Sequence, residues 1–135
     1  MAQSKKTNNK SNTKSKNTRV VESGKFYITA TFNNTLVTVT DEKGSPIVVS
    51  SCGMYGFTGT RKSTPYAGTV TMEAAIKKAT EDFNLRKADI FVKGIGPGRE
   101  ASLRALRASN IDVGKIVDMT PIPHNGVRPP KVRRV

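Results

Sequence analysis

The amino-acid sequence predicts an α/β fold in which two helices flank a mixed β-sheet, with the element order βββαβαβ and an extended basic tail at each end. Apolar and polar residues alternate from Phe26 to Phe32, which is the period of a half-buried strand. Two later stretches repeat apolar residues at helical spacing, and a short apolar segment separates them. Because strands come first and helices alternate with strands afterwards, a sheet with helices packed on it is predicted.

The first three strands are predicted to be antiparallel neighbours. Alternation in the first strand directs four side chains to one face: Phe26, Ile28, Ala30 and Phe32. Asn33-Asn34 supplies a turn, because asparagine tolerates positive φ, and the β-branched segment 36–40 returns as the second strand. A second turn at residues 41–44 leads to a third strand over residues 46–50.

The later elements alternate between helix and strand. Residues 53–65 contain three glycines, two aromatic residues and two cations, and they predict an ordered loop. An amphipathic helix is then predicted over residues 69–84, followed by a short buried strand over 88–92. After a glycine turn, a second helix is predicted over residues 99–108, and apolar residues at 111, 116 and 117 predict a last strand.

Charge divides the chain into three parts. The 135 residues include 23 basic and 10 acidic side chains, and ten of the thirteen net positive charges lie in residues 1–19 and 120–135. We therefore expect a disordered basic N-terminal extension (1–23), a mixed α/β RNA-binding domain (24–119) and an extended C-terminal arm rich in proline and arginine (120–135). This distribution indicates a polyanionic partner. The alternative is a pair of solvated tails that keep the protein soluble.

The composition argues against several classes of protein. Cys52 is the only cysteine and His124 the only histidine, so neither a disulfide framework nor a metal site built from these residues is expected. No apolar run approaches the ~20 residues that a membrane span requires. We expect no cofactor, no membrane association and no homo-oligomer.

The loop over residues 53–65 is the first candidate site. Glycine allows a ligand to approach the backbone closely, aromatic rings stack on bases, and adjacent cations attract phosphates. The residues that we assign to RNA binding here are Gly53, Gly56, Phe57, Gly59, Arg61, Lys62, Ser63, Thr64 and Pro65. The alternative is a flexible loop whose Phe57 packs into the core.

The glycine turn before the second helix is the second candidate site. Free backbone N–H groups at a helix start favour an anion. The dinucleotide fingerprint and the P-loop both fail, because Arg99 occupies the position of the third glycine and Gly-Lys-Ser/Thr does not occur. The RNA-binding residues assigned here are Lys93, Gly94, Gly96, Gly98, Arg99, Arg104 and Arg107. The alternative is a tight turn with Glu100 in the first turn of the helix.

The C-terminal arm is the third candidate site. Its four prolines favour a polyproline-like conformation, and its sixteen residues, at ~3.1 Å each, could span roughly 50 Å. The RNA-binding residues assigned to the arm are His124, Asn125, Gly126, Arg128, Lys131, Arg133 and Arg134. A ligand for an SH3-like domain is the alternative. Asn125 is also a candidate for conversion to isoaspartate, because the unhindered amide nitrogen of Gly126 can attack its side chain; an ordinary Asn-Gly turn is the alternative.

Taken together and in this order, the motifs resemble those of the S eleven family of small-subunit ribosomal proteins. The resemblance covers about residues 24–135, and the Pro-Pro-Lys ending is similar to the bacterial or organellar type. Each motif is weak alone, but the combination is specific. The segments that carry the resemblance are 32–41, 56–65, 93–100, 104–106 and 118–126.

The resemblance implies a structural, non-enzymatic role in the ribosome. The family binds 16S-type rRNA on the platform of the small subunit, bridges several rRNA helices and helps to form the Shine-Dalgarno cleft that holds mRNA. Its implied neighbours are ribosomal proteins S seven and S eighteen, with initiation factor three nearby. The implied location is on ribosomes in the cytoplasm, or inside an organelle if an organelle encodes the chain. Asn33 and Asn34, with Ser63 and Thr64, are then expected at sugar or base edges.

Two other functions remain open from the residues alone. A metal-dependent nuclease would need several carboxylates around ions ~3.5–4 Å apart, and Asp41, Asp89 and Asp118 lie near predicted strand ends. An architectural nucleic-acid-binding protein outside the ribosome would share the net charge and the two basic tails.

Overall fold

A computed structural model describes residues 20–132 and residue 134 of the chain. Five strands form one sheet, and two helices pack on it. The strands are β1 (Ser23–Ala30), β2 (Thr35–Asp41), β3 (Pro46–Ser51), β4 (Lys87–Lys93) and β5 (Asp112–Asp118). The helices are α1 (Pro65–Phe83) and α2 (Gly98–Arg107), and two short 3₁₀ turns, Cys52–Tyr55 and Gly59–Ser63, lie between β3 and α1. The predicted order βββαβαβ is confirmed.

The sheet has the strand order β3-β2-β1-β4-β5. β2 is antiparallel to both β1 and β3, whereas β1–β4 and β4–β5 are parallel pairs, so the predicted mixed sheet is confirmed. Four strands, β1, β3, β4 and β5, therefore run in the same direction and end at the same edge of the sheet. We call this edge, marked by Ala30, Ser51, Lys93 and Asp118, the carboxyl edge.

The hydrophobic core lies between one face of the sheet and the two helices. Alternate residues of β1 and β4, among them Phe26, Ile28 and Ile90, are at most 1% exposed, as a strand with one covered face requires. The helices contribute Met72, Ala75, Ala79 and Leu106 to the same cluster. The strand residues of opposite parity are half-buried or exposed, because both helices cover the same face. Among the described residues, no helix is both long and apolar enough to cross a membrane.

Helix α1 begins one turn earlier than the sequence predicted. Thr64 caps it by accepting a hydrogen bond from the Ala67 N–H at 3.3 Å, and Pro65 occupies the first helical position, where its missing N–H costs nothing. Gly68, which the sequence placed before the helix, is a buried helical residue. A Cβ there would lie 2.9 Å from the Cα of Gly98, so this glycine allows α1 and α2 to touch through their backbones.

Two expectations about the first hairpin are wrong. Phe32 is 62% exposed and does not continue the buried row, because β1 ends at Ala30. Neither Asn33 nor Asn34 has a positive φ. The turn depends instead on Thr31, whose hydroxyl oxygen accepts the backbone N–H of Asn34 at 3.0 Å and that of Asn33 at 3.3 Å.

The chain enters the sheet through a packed segment. Val21 is 7% exposed, and its N–H donates to the Phe83 carbonyl at 2.9 Å. The Glu22 carbonyl accepts the N–H groups of Arg86 and Lys87 at 3.0 Å each. The expected disorder of the N-terminal extension concerns chiefly residues 1–19, which lie outside the described residues.

The contact between the two helices generates a stability prediction. We expect Gly68→Ala to destabilise the protein by ~1–3 kcal/mol, because the added methyl group overpacks the contact with Gly98. Urea unfolding measures the change. Gly53→Ala is the matched control: its Cβ would meet only the Lys62 Cδ, at 3.9 Å, and we expect a change within about 0.5 kcal/mol. Equal stability of Gly68→Ala and the wild type would contradict the proposed contact.

Candidate nucleic-acid interface

The carboxyl edge brings together segments that are far apart in the sequence. The turn with Asn33 and Asn34 follows β1, the glycine loop follows β3, the glycine turn follows β4, and the C-terminal arm follows β5. Because these four strands run in the same direction, all three candidate sites and the first hairpin turn meet at this edge. Both helices, α1 and α2, also begin at this edge, and the positive end of a helix dipole favours anions.

The loop between β3 and α1 presents its cations outward. Gly56 and Gly59 have φ values of 82° and 55°, a conformation that glycine adopts without strain. Arg61 is exposed and Lys62 is half-buried. Phe57 is half-buried outside the core cluster, and its ring meets the Tyr66 ring edge-on at 5.8 Å between centroids. The loop is therefore built by local contacts, and its Phe57 does not pack into the core.

The hydroxyl groups of this loop have structural partners. The Ser63 hydroxyl donates to the Thr60 carbonyl at 2.8 Å, and the Thr64 hydroxyl donates to the Arg61 carbonyl at 2.8 Å. Thr64 also caps α1, and Pro65 is the first residue of that helix. These contacts fix the backbone that carries Arg61 and Lys62.

The glycines of the turn after β4 serve packing within the protein. A Cβ on Gly94 would overlap the Ala30 carbonyl oxygen, and one on Gly96 would overlap that of Thr31. A Cβ on Gly98 would overlap the Thr35 hydroxyl. These glycines therefore allow the turn to lie close against the hairpin of β1 and β2. The turn is held at the carboxyl edge as a result.

Arg99 and Asp118 connect the glycine turn to the arm. The Arg99 guanidinium donates to the Gly94 carbonyl and to the Asp118 carboxylate, each at 3.0 Å. Asp118 also accepts the side-chain hydroxyl and the backbone N–H of Thr120, at 2.6 and 2.9 Å. The Thr120 hydroxyl oxygen in turn accepts the Gly94 N–H at 3.1 Å. These contacts join β4, α2 and β5 where the arm begins.

The sequence does not predict this cluster. From the residues alone, Asp118 is a candidate nuclease carboxylate, Thr120 begins the arm, and both belong to a segment that resembles the family. The spacing Asp-x-Thr is a local signal, because an aspartate often accepts the N–H two residues later. The contacts with Gly94 and Arg99 are long-range and become visible only in the tertiary structure.

The arm leaves the body after Thr120. Residues 121–132 are all exposed, and Asn125 has a φ of 57°, which forms a turn before Gly126. Exposed residues of the arm that the sequence assigned to RNA are His124, Asn125, Gly126, Arg128, Lys131 and Arg134. Arg133 lies outside the described residues.

Two residues of the predicted site, Arg104 and Arg107, lie in the last turn of α2 and away from the carboxyl edge. Arg104 is exposed, and its guanidinium lies 3.7 Å from the Glu100 carboxylate. Arg107 is the last residue of α2, about 14 Å along the helix from Gly98 at 1.5 Å per residue. Lys93, by contrast, lies at the end of β4 and is exposed at the carboxyl edge.

The carboxylates proposed for a nuclease do not converge. Asp41 and Asp118 lie on β2 and β5, which two other strands separate, so they are at least ~14 Å apart across the sheet. Two-metal chemistry requires acids around ions ~3.5–4 Å apart. In the part of the chain that the structure describes, no three His, Cys, Asp or Glu side chains are grouped to hold a metal ion.

The hydrogen bonds of Asp118 generate a titration prediction. They lower the pKa of its carboxyl group from 3.8 to about 2, and the Thr120 hydroxyl is the largest cause, ahead of the Thr120 N–H and Arg99. Because the pKa is lower in the folded state, the stabilisation is complete above about pH 4 and is lost as the pH falls toward 2. We expect Thr120→Val to raise this pKa toward 3.8, measured by NMR titration of the carboxyl carbon. A larger rise in Arg99→Gln would contradict the assigned order.

Comparison of the sequence with known proteins identifies its relatives. The sequence model of the family described as ribosomal protein S11 matches residues 24–134, which include the sheet, both helices and nearly all of the arm. The small ribosomal subunit protein uS11 of Coprothermobacter proteolyticus (strain ATCC 35245 / DSM 5265 / OCM 4 / BT) is 50% identical over 122 residues, which cover 90% of this chain and 97% of that relative. The chain therefore belongs to the ribosomal protein S11 family, whose members are structural, non-enzymatic components of the small ribosomal subunit.

Proposed function

We propose that this ribosomal protein binds 16S-type rRNA through its carboxyl edge and its arm, on the platform of the small subunit. The convergence of the four segments at one edge is the observation that carries the proposal. A single rigid body that presents several cationic segments at one edge is suited to bridge rRNA helices that are distant in the RNA sequence. The phosphates would provide most of the affinity, and the loops would set the orientation.

The distribution of acidic residues supports this orientation. Six of the ten acidic residues belong to segments at the opposite edge of the sheet or to the far end of α1: Glu22, Asp41, Glu42, Glu81, Asp82 and Asp112. Near the carboxyl edge, Asp118 is paired with Arg99. A phosphate backbone therefore meets mainly cations at the carboxyl edge, whereas at the opposite edge acidic residues lie beside cations such as Lys43 and Arg86.

Each segment has a separate role in the proposal. Arg61 and Lys62 contact phosphates from the loop, Arg104 and Arg107 from the outer side of α2, and Arg128, Lys131, Arg133 and Arg134 from the arm. Asn33 and Asn34 lie in the exposed hairpin turn beside them and reach sugar or base edges. Arg99 and Asp118 fix the direction in which the arm leaves the body.

The wider assignment rests on the family. On the platform, the protein would help to form the Shine-Dalgarno cleft beside mRNA, with S seven and S eighteen as neighbours and initiation factor three nearby. It would be bound to ribosomes in the cytoplasm, or in an organelle if encoded there. A nuclease and an architectural protein outside the ribosome do not fit a chain of this family.

A pair of charge-matched variants tests the carboxyl edge. We expect Arg61→Gln with Lys62→Gln to weaken binding to a platform fragment of 16S rRNA by ~10–100-fold, and to lower the slope of log affinity against log salt by about 2. Filter binding between 50 and 200 mM salt measures both quantities.

The control removes two charges from the other side of the molecule. Lys43→Gln with Lys77→Gln changes exposed lysines in the β2–β3 turn and in the second half of α1. This variant should retain most of its affinity. If both pairs lose affinity equally, only the net charge matters, and the proposed orientation is wrong.

We also propose that Asn125 converts to isoaspartate. The residue is exposed, and the unhindered N–H of Gly126 follows it. Attack by this nitrogen on the side-chain carbonyl carbon forms a succinimide and releases ammonia, and water then opens the ring to isoaspartate or aspartate. Peptide mass spectrometry with electron-transfer fragmentation should detect isoaspartate at 125 in assembled subunits, and Gly126→Val should prevent it. Intact asparagine throughout would exclude the modification.

A further inference from the structure

The sheet face opposite the helices has no cover from the described part of the chain. Both helices pack on the face that carries Phe26 and Ile90, and the residues of opposite parity point to the other side. We call this second side the open face. Strand register places Lys25, Tyr27, Thr29, Thr38 and Val49 on it, together with Lys87, Asp89, Phe91, Lys93, Asp112 and Val117. The Lys115 side chain lies on the same side, over the Phe91 ring.

A pair of stacked aromatic rings lies at the centre of the open face. Tyr27 and Phe91 are register partners on β1 and β4, with ring centroids 5.1 Å apart and planes inclined by only 15°. Both side chains are half-buried. On the other side of Tyr27, its partner on β2 is the short side chain of Thr38. The ring face of Tyr27 toward β2 therefore has only a small neighbour.

Two lysines lie beside the Phe91 ring of this pair, and Asp89 is the strand partner of one of them, Lys25. The ammonium groups of Lys25 and Lys115 lie 5.9 and 6.0 Å from the Phe91 centroid, within the range of cation–π attraction. Four lysines and two aspartates of the strands share the open face, so its net charge is positive. One of the two acids, Asp112, lies at the end away from the carboxyl edge.

We infer that the open face binds unpaired RNA nucleotides, with a base stacked on Tyr27 and the flanking phosphates on Lys25 and Lys115. A base on Tyr27 would form a continuous stack with Tyr27 and Phe91. The lysine side chains are long enough to leave the Phe91 ring and contact a phosphate. This arrangement combines the two contacts by which proteins hold single-stranded nucleic acids: aromatic stacking and a cationic groove. The site shares no residue with the four segments proposed above except Lys93, so it stands or fails independently of them.

Charge favours RNA over a protein partner on this face. The centre of a protein interface is depleted of charge, because an ammonium group that loses water without an anionic partner costs free energy. Here two ammonium groups lie at the centre, directly over the aromatic ring. An RNA strand would stack its bases on the aromatic rings and place its phosphates beside the lysines.

Substitution of the rings tests the inference in the full-length protein. The probe is an unstructured eight-nucleotide RNA with 2-aminopurine at its centre, whose fluorescence is quenched when the base stacks. We expect Tyr27→Val and Phe91→Val to weaken binding by roughly 5- to 100-fold and to reduce the quenching. Valine keeps the strand propensity, and thermal unfolding checks that each variant is folded.

Matched controls distinguish base stacking from electrostatic attraction that depends only on the net charge of the protein. Val113→Thr changes a side chain of β5 on the opposite face of the sheet, where its strand partner is the buried Ala88, and it should bind like the wild type. Lys25→Gln with Lys115→Gln should lose more affinity than Lys43→Gln with Lys77→Gln, although both pairs remove two charges. If the ring variants retain full quenching, or the two lysine pairs behave alike, the inference is wrong.

Cross-linking in assembled subunits identifies the occupant directly. Ultraviolet irradiation followed by peptide mass spectrometry should find a nucleotide attached to Tyr27 or Phe91. A chemical cross-link from Lys25 or Lys115 to another protein, without nucleotide on either ring, would overturn the inference and identify a protein surface. If Arg61→Gln with Lys62→Gln loses rRNA affinity while the ring variants do not, this inference fails and the proposed function stands.

Discussion

The common direction of β1, β3, β4 and β5 is the constraint on which the rest of the structure depends. The chain crosses from β3 to β4 through α1, and from β4 to β5 through α2, in the same direction across the sheet. Parallel crossovers are right-handed in almost all proteins, so two crossovers in one direction place both helices on one face. The right-handed crossovers produce a covered face and an open face. The common strand direction produces the edge at which four strands end.

Backbone contacts hold the carboxyl edge together. Glycines at 68, 94, 96 and 98 bring α1, the turn after β4, and α2 against one another and against the first hairpin. Arg99, Asp118 and Thr120 add charged and neutral hydrogen bonds at the point where the arm departs. The cationic loop and the arm are consequently attached to a rigid base, which lowers the entropy that binding must overcome.

Local patterns were sufficient for the secondary structure but not for its ends. Alternation predicted β1 and helical spacing predicted α1, because each depends on neighbouring residues. Phe32 continued the alternation and was expected to be buried, yet the chain turns at Thr31 and leaves it exposed. Gly68 was expected before the helix, but the contact with Gly98 allows a glycine inside it. The first error comes from a local turn that the alternation does not reveal, and the second comes from a tertiary contact between two helices.

The sequence by itself determined the class of partner, the cationic segments and the family. Clustered cations, glycines and aromatic residues indicate an RNA ligand without knowledge of the fold, and the combination of motifs indicates the family. Only the tertiary structure decided which contacts these residues make within the protein. Gly94 and Gly96 make room for the carbonyls of Ala30 and Thr31, Gly98 makes room for the Thr35 side chain, and Arg99 pairs with Asp118. Tyr27 and Phe91, 64 positions apart in the sequence, form a pair because β1 and β4 are neighbours in the sheet. Pairing between distant strands has no local signal, since it depends on the order in which the whole sheet assembles.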